Sequence, residues 1–185
     1  MSVDVGILVI RMLFGIAMSV HGAQKLFGWF GGYGLKETGA FLEGLGFRPG
    51  VGFAAAVGMS ELGGGILLTF GLFTPFGAGA VLSSMLLAIA SVQLKNRFFT
   101  VATEIELPLF YAVAAIGIAF TGGGAFSLDA KCGFTFLGEL YFIESVLVFV
   151  VVAAAVALGL RRRRLGNVQP RKADPYLHED FAQRR

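Results

Sequence analysis

Apolar residues run along this chain in long blocks separated by short polar or glycine-rich breaks. A helix crossing a bilayer needs about 20 mostly apolar residues, because each residue rises about 1.5 Å and the hydrocarbon core is about 30 Å thick. Five blocks meet that pattern, Val5 to Phe27, Val51 to Phe73, Pro75 to Leu94, Ile105 to Thr121 and Tyr141 to Leu160, the fourth being short. The pattern predicts an all-α membrane protein, with a bundle of four transmembrane helices and a fifth transmembrane helix towards the C-terminus.

The breaks carry information of their own. Between Gly28 and Gly50, Leu35, Phe41, Leu42 and Leu45 approximate helical spacing, with Lys36, Glu37 and Glu43 largely between them. This predicts a short amphipathic helix in the headgroup region, anchored by Trp29, Phe30 and Tyr33; an irregular loop is the alternative. In the second block Ala54 and Gly58, and Ser60 and Gly64, recur four apart, a spacing that lets neighbouring helix backbones approach closely. Beyond Leu165, Pro170, Pro175 and many charges predict a tail without enough apolar surface to order itself.

Composition agrees with the blocks: 56% of the residues are hydrophobic, 15% are charged and the mean hydropathy is +0.75, an excess that a lipid environment explains. Of the 15 Lys and Arg residues, eight lie beyond residue 160. Arg161 to Arg164 directly follow an apolar block and no nucleic-acid motif accompanies them, so they read as a topology signal, with no nucleic-acid partner. They place the C-terminus inside. Counting back puts Lys95 and Arg97 inside, and also the connection that contains Lys36 and is flanked by Lys25 and Arg48. Asp4, the Phe73-Thr74-Pro75 turn and the segment with Asp129 and Lys131 fall outside. The N-terminus is therefore expected outside, and the first block, which contains Arg11 and lacks a basic leader, reads as a retained span.

The chemistry-bearing residues are the ionisable ones inside apolar helices: Arg11, His21, Lys25, Glu61 and Glu106. An uncompensated charge at mid-membrane costs about 2.5 to 3.5 kcal/mol, so these side chains should face inward and pair. His21 and Lys25 are four apart, and Arg11 and Lys25 fourteen apart, giving the first helix one basic stripe. Arg11 with Glu61 is the expected pair. Two readings follow: the polar residues lock the bundle together, with Lys25 reaching the interface and His21 bonding a carbonyl, or His21 and a carboxylate exchange protons with a quinone-like head. Cys132 is the lone cysteine, so an intrachain disulfide or a Cys-x-x-Cys redox pair is ruled out, and redox chemistry requires a borrowed cofactor. His178 lies in the tail, which excludes a bis-histidine haem in the membrane. Met12, Met18, Met59 and Met85 read as packing rather than axial ligands. The runs Gly63 to Gly65 and Gly122 to Gly124 precede no Lys-Ser or Lys-Thr pair and read as packing and turn glycines, not phosphate loops. No metal site is expected.

The stretches Arg11-Met-Leu-Phe-Gly15 and His21-Gly-Ala-Gln-Lys25-Leu-Phe-Gly-Trp-Phe-Gly31 resemble the N-terminal signature of the DoxX family. Further similar segments are Ser60-Glu61-Leu-Gly-Gly-Gly65, Gly71-Leu-Phe-Thr74, Glu106-Leu-Pro108 and Gly122 to Asp129, ending Ser127-Leu128-Asp129. The resemblance implies a four-helix membrane domain, here over 1–130; the outer loop and additional helix over 131–160 and the basic cytoplasmic tail over 161–185 are read from the residues themselves, and the fifth span and Arg-rich tail exceed the usual family length. The resemblance further implies association with quinol oxidation, thiosulfate:quinone oxidoreductase subunits or oxidative-stress complexes. Quinone becomes the candidate cofactor, none being covalently bound. Arg11, His21, Lys25, Glu61 and Glu106 become quinone or proton-site candidates. Implied partners are the bilayer and redox subunits in a homo- or hetero-oligomer, in the bacterial cytoplasmic membrane. The sequence departs from the family pattern at Gln93, where a His often stands, at Asn96-Arg97-Phe98, and at Glu104. A non-catalytic anchor or assembly subunit and a proton-coupled small-solute transporter are the alternatives, although no internal repeat supports the latter.

Overall fold

The computed structural model describes residues 1–93 and 103–166, and side chains over 1–90 and 106–161. The described residues are helical throughout their regular structure: α1 (Ser2–Phe27), a 3₁₀ turn (Trp29–Gly31), α2 (Gly34–Gly44), α3 (Gly50–Phe70), α4 (Thr74–Gln93), α5 (Thr103–Thr121), α6 (Leu128–Cys132), a second 3₁₀ turn (Thr135–Gly138) and α7 (Leu140–Gly166). Three helices are long and apolar enough to cross a membrane, Ser2–Phe27, Gly50–Phe70 and Leu140–Arg161; Thr74–Ala90 and Glu106–Thr121 are shorter apolar helices. The expected loop at Lys95 to Phe98 and the tail beyond Leu165 lie outside the described residues, Leu165 and Gly166 apart.

α1 packs along α3, α3 on α4 and α4 on α5, and α5 returns to α1 through Tyr111, whose ring meets Phe14 and His21. α7 lies against α4 on the outside. Small residues set the closest contact. A Cβ on Gly15 would lie 2.5 Å from Thr69 Oγ1 and 2.6 Å from the Gly65 carbonyl oxygen, so α1 and α3 touch backbone to backbone there. Gly64 of the expected small-residue pairs serves the next interface, facing Gly77 and Ala80 of α4. Phe14, Met18, Leu68, Val81 and Ile118 fill the centre, while Leu13, Phe110, Val148 and Phe149 stand 62 to 72% exposed on the perimeter. An apolar perimeter around a packed centre suits a lipid solvent.

The expected amphipathic helix forms as α2. It follows the left-handed Gly28 that ends α1, and its Gly39 is buried against Val51 of α3. Glu43 accepts from the Gly50 amide at 3.0 Å, satisfying a donor at the start of α3. Trp29, Phe30 and Tyr33 are 60, 68 and 80% exposed. Two short helical pieces between Thr121 and Leu140 were not expected from the sequence. α6 is capped by Ser127, whose hydroxyl accepts from the Ala130 amide.

Candidate functional site: a cavity at the Lys25 end and an arginine clasp at the other

The expected Arg11–Glu61 pair does not form; Glu61 pairs with Lys25. The reason lies in how far α3 slides along α1. The glycine contacts set Gly15 level with Gly65 and Thr69, and Gly22 level with Gly58 and Leu62, which leaves Glu61 beside the last turns of α1. Arg11 instead meets the C-terminal turn of α3. Its Nη1 donates to the carbonyls of Leu68 and Thr69 at 2.7 and 2.8 Å, and Nη2 to that of Phe126 at 3.3 Å. Carbonyls in a last turn lack helical partners and carry the negative end of the helix dipole, so a cation placed there is stabilised without a carboxylate contact.

Asp129 completes this clasp. Its carboxylate accepts from the Phe73 and Thr74 amides at 2.7 and 2.9 Å and from Thr74 Oγ1 at 2.7 Å, while its own amide donates to the Gly71 carbonyl at 2.9 Å. The tight α3–α4 turn is held by the segment that follows α5. Gly71 has φ +63°, and a Cβ there would lie 2.5 Å from Arg11 Nη1, so both its conformation and its size are required. Asp129 was placed only in an outer segment by the sequence; its capping role was not.

At the opposite end a cavity of about 260 Å³ opens among α1, α2, α3, α4 and α5. Its walls are mainly apolar, among them Phe41, Leu42, Phe53, Met85, Leu107 and Pro108, and His21, Lys25 and Glu61 reach into it. Glu61 is 2% exposed and its partner Lys25 31%. The ammonium has three donors, and Glu61 is its one ion-pair partner among the described residues. His21 lies at 5.8 Å, ring centroid to ring centroid, from Tyr111. Its nitrogens find no hydrogen-bond partner among the described residues, so the carbonyl bond expected of a purely structural histidine is absent.

Three of the five candidate residues therefore share one cavity. Arg11 belongs to the clasp. Glu106 is exposed at the start of α5, one residue before the lining Leu107, and does not line the cavity. Tyr111, on the third turn of α5, was not singled out from the sequence; its spacing from Pro108 along one face was the available signal. The described residues contain no group of three or more His, Cys, Asp or Glu side chains placed to hold a metal ion.

Residues 6–94 match the DoxX family model. Comparisons with curated proteins and with solved structures give no match. The matched segment holds His21, Lys25, Glu61 and all of α2, whereas the resembling segments at Glu106-Leu-Pro108 and Ser127-Leu128-Asp129 fall beyond it. With its apolar helices and that matched segment, the chain is a multi-pass membrane protein that carries a DoxX-family domain over residues 6–94.

Proposed function

We propose that this protein is a membrane subunit of a redox-associated, quinone-linked complex in the bacterial cytoplasmic membrane, and that its cavity receives the ring of a quinone. The reading rests on one observation: His21, without a hydrogen-bond partner among the described residues, shares a mainly apolar cavity with the Lys25–Glu61 pair. Apolar walls suit a lipid-soluble ring, and a few convergent polar groups fix its orientation. Lys25, held by Glu61, presents an N–H to a carbonyl oxygen. His21, one helical turn away, presents ring nitrogens that can donate or accept a hydrogen bond or a proton. Electrons come from a redox partner subunit, since the chain lacks a cysteine pair of its own. In this reading α4 and α5 also cross the bilayer, giving five crossings with the N-terminus outside and the C-terminus inside.

His21→Gln tests the assignment after purification from native membranes in mild detergent. The expected result is normal yield and assembly with a severalfold loss of co-purifying quinone. Lower thermal stability with full quinone occupancy would overturn it and leave a scaffold whose polar residues serve folding alone.

A further inference from the structure

The first arginine of the basic run is not a solvated charge. Arg161, near the end of α7, is 6% exposed. Its Nε donates to the Leu45 carbonyl at 2.6 Å, and its guanidinium lies over the Phe47 ring at 5.1 Å from the centroid. Leu45 is the residue that terminates α2, so its carbonyl lies at the negative end of that helix. Phe47, 2% exposed, packs in turn on Phe53 with ring centroids 5.1 Å apart. Leu45, Phe47 and Phe53 all line the cavity, as do Thr38, Phe41 and Leu42 of α2. A side chain from outside the DoxX-matched segment thus grips the covering wall of a cavity whose His21, Lys25 and Glu61 lie inside that segment.

We propose that Arg161 is a positioning residue that latches α2 over the cavity, so that α7 sets access to the site. The functional weight of the latch rests on the reading of the cavity as a ligand site, but the latch itself does not. α2 leaves α1 through the glycine bend at Gly28, and at its far end it is held to α3 by Glu43 and to α7 by Arg161. Without the guanidinium, the Leu45 carbonyl loses a charged donor and Phe47 loses its cation, interactions of the stronger kinds available to a partly desolvated turn. The Thr38–Leu42 wall then swings away from α1 and α5.

Cysteine labelling of the full chain in detergent tests this without any ligand. In a Cys132→Ser background, Thr38→Cys reports on the covering wall and Met18→Cys, fully buried in the centre, reports on the bundle. With a polar maleimide, Arg161→Gln is expected to raise the labelling rate at position 38 severalfold while position 18 stays unreactive. An unchanged rate at position 38, or a parallel rise at position 18 showing that the whole bundle has loosened, would overturn the latch. Should Arg161→Gln fail to accumulate, Phe47→Leu, which removes the ring under the guanidinium and keeps an apolar side chain, carries the same two outcomes. Quinone content measured on the same preparations separates the two readings. Faster labelling at position 38 with no quinone bound to either chain supports the latch and removes the quinone.

Discussion

Glu61 and Lys25 are unequal partners, and their inequality makes a measurable difference. Glu61 is 2% exposed and Lys25 31%, so the carboxylate depends on the ammonium more than the reverse. Removing Lys25 leaves a buried carboxylate with no counter-charge, whereas removing the Glu61 charge leaves an ammonium with a flexible stem and partial exposure. Lys25→Met is therefore expected to lower stability by about 2 to 3 kcal/mol, below the ~3 to 5 kcal/mol typical of a fully buried pair broken on one side, because Lys25 is partly exposed. Glu61→Gln costs less, and in the double variant the two effects do not add. Thermal unfolding of the three variants in one detergent measures the coupling; strict additivity would show that the pair contributes nothing. The sequence made the embedded charges legible, because a charge in an apolar helix is conspicuous and must be compensated. It did not reveal which cation meets Glu61. Arg11 and Lys25 share a face of α1, and the choice between them is made by the offset between two helices, a quantity that no periodicity within one helix contains. The sequence likewise gave Arg161 a place at a membrane boundary but no sign that its guanidinium turns inward to Leu45 and Phe47.

At the level of elements, that offset is fixed by glycines. Gly15→Ala is expected to lower stability by about 1 to 3 kcal/mol, since its methyl would meet the Gly65 carbonyl oxygen and the Thr69 backbone, atoms that cannot turn away. Gly63→Ala, also in an apolar helix but with nothing within 4 Å of its Cβ, should cost nothing and gains a better helix former. Equal melting temperatures for the two would dismiss the backbone contact as the feature that sets the register. The apolar blocks foretold the long helices to within a few residues at most ends, with α7 running on to Gly166 rather than stopping at Leu160. They foretold α2 as well, because its period survived the glycine-rich surroundings. α6 and the 3₁₀ turns were illegible for a physical reason. A five-residue helix has no apolar period to read, and it exists here because Ser127 caps it and Asp129 is tied to the α3–α4 turn.

For the whole molecule, an odd number of crossings has a simple signature. Reporter fusions at the two ends should read on opposite sides of the membrane, with the C-terminal fusion cytoplasmic, as the basic residues require; both ends on one side would reduce the crossings to an even number. The two ends of the bundle also differ in kind. Arg11 and Asp129 bind helix termini together at one end, the cavity lies at the other, and along α1 between them come Phe14 and Met18, 8% and 0% exposed in the packed centre. Among the described residues that packed centre stands between the cavity and the clasp. The charges of the cavity and those of the clasp are thus, among the described residues, kept apart by apolar side chains, two polar sites on one helix rather than one continuous path.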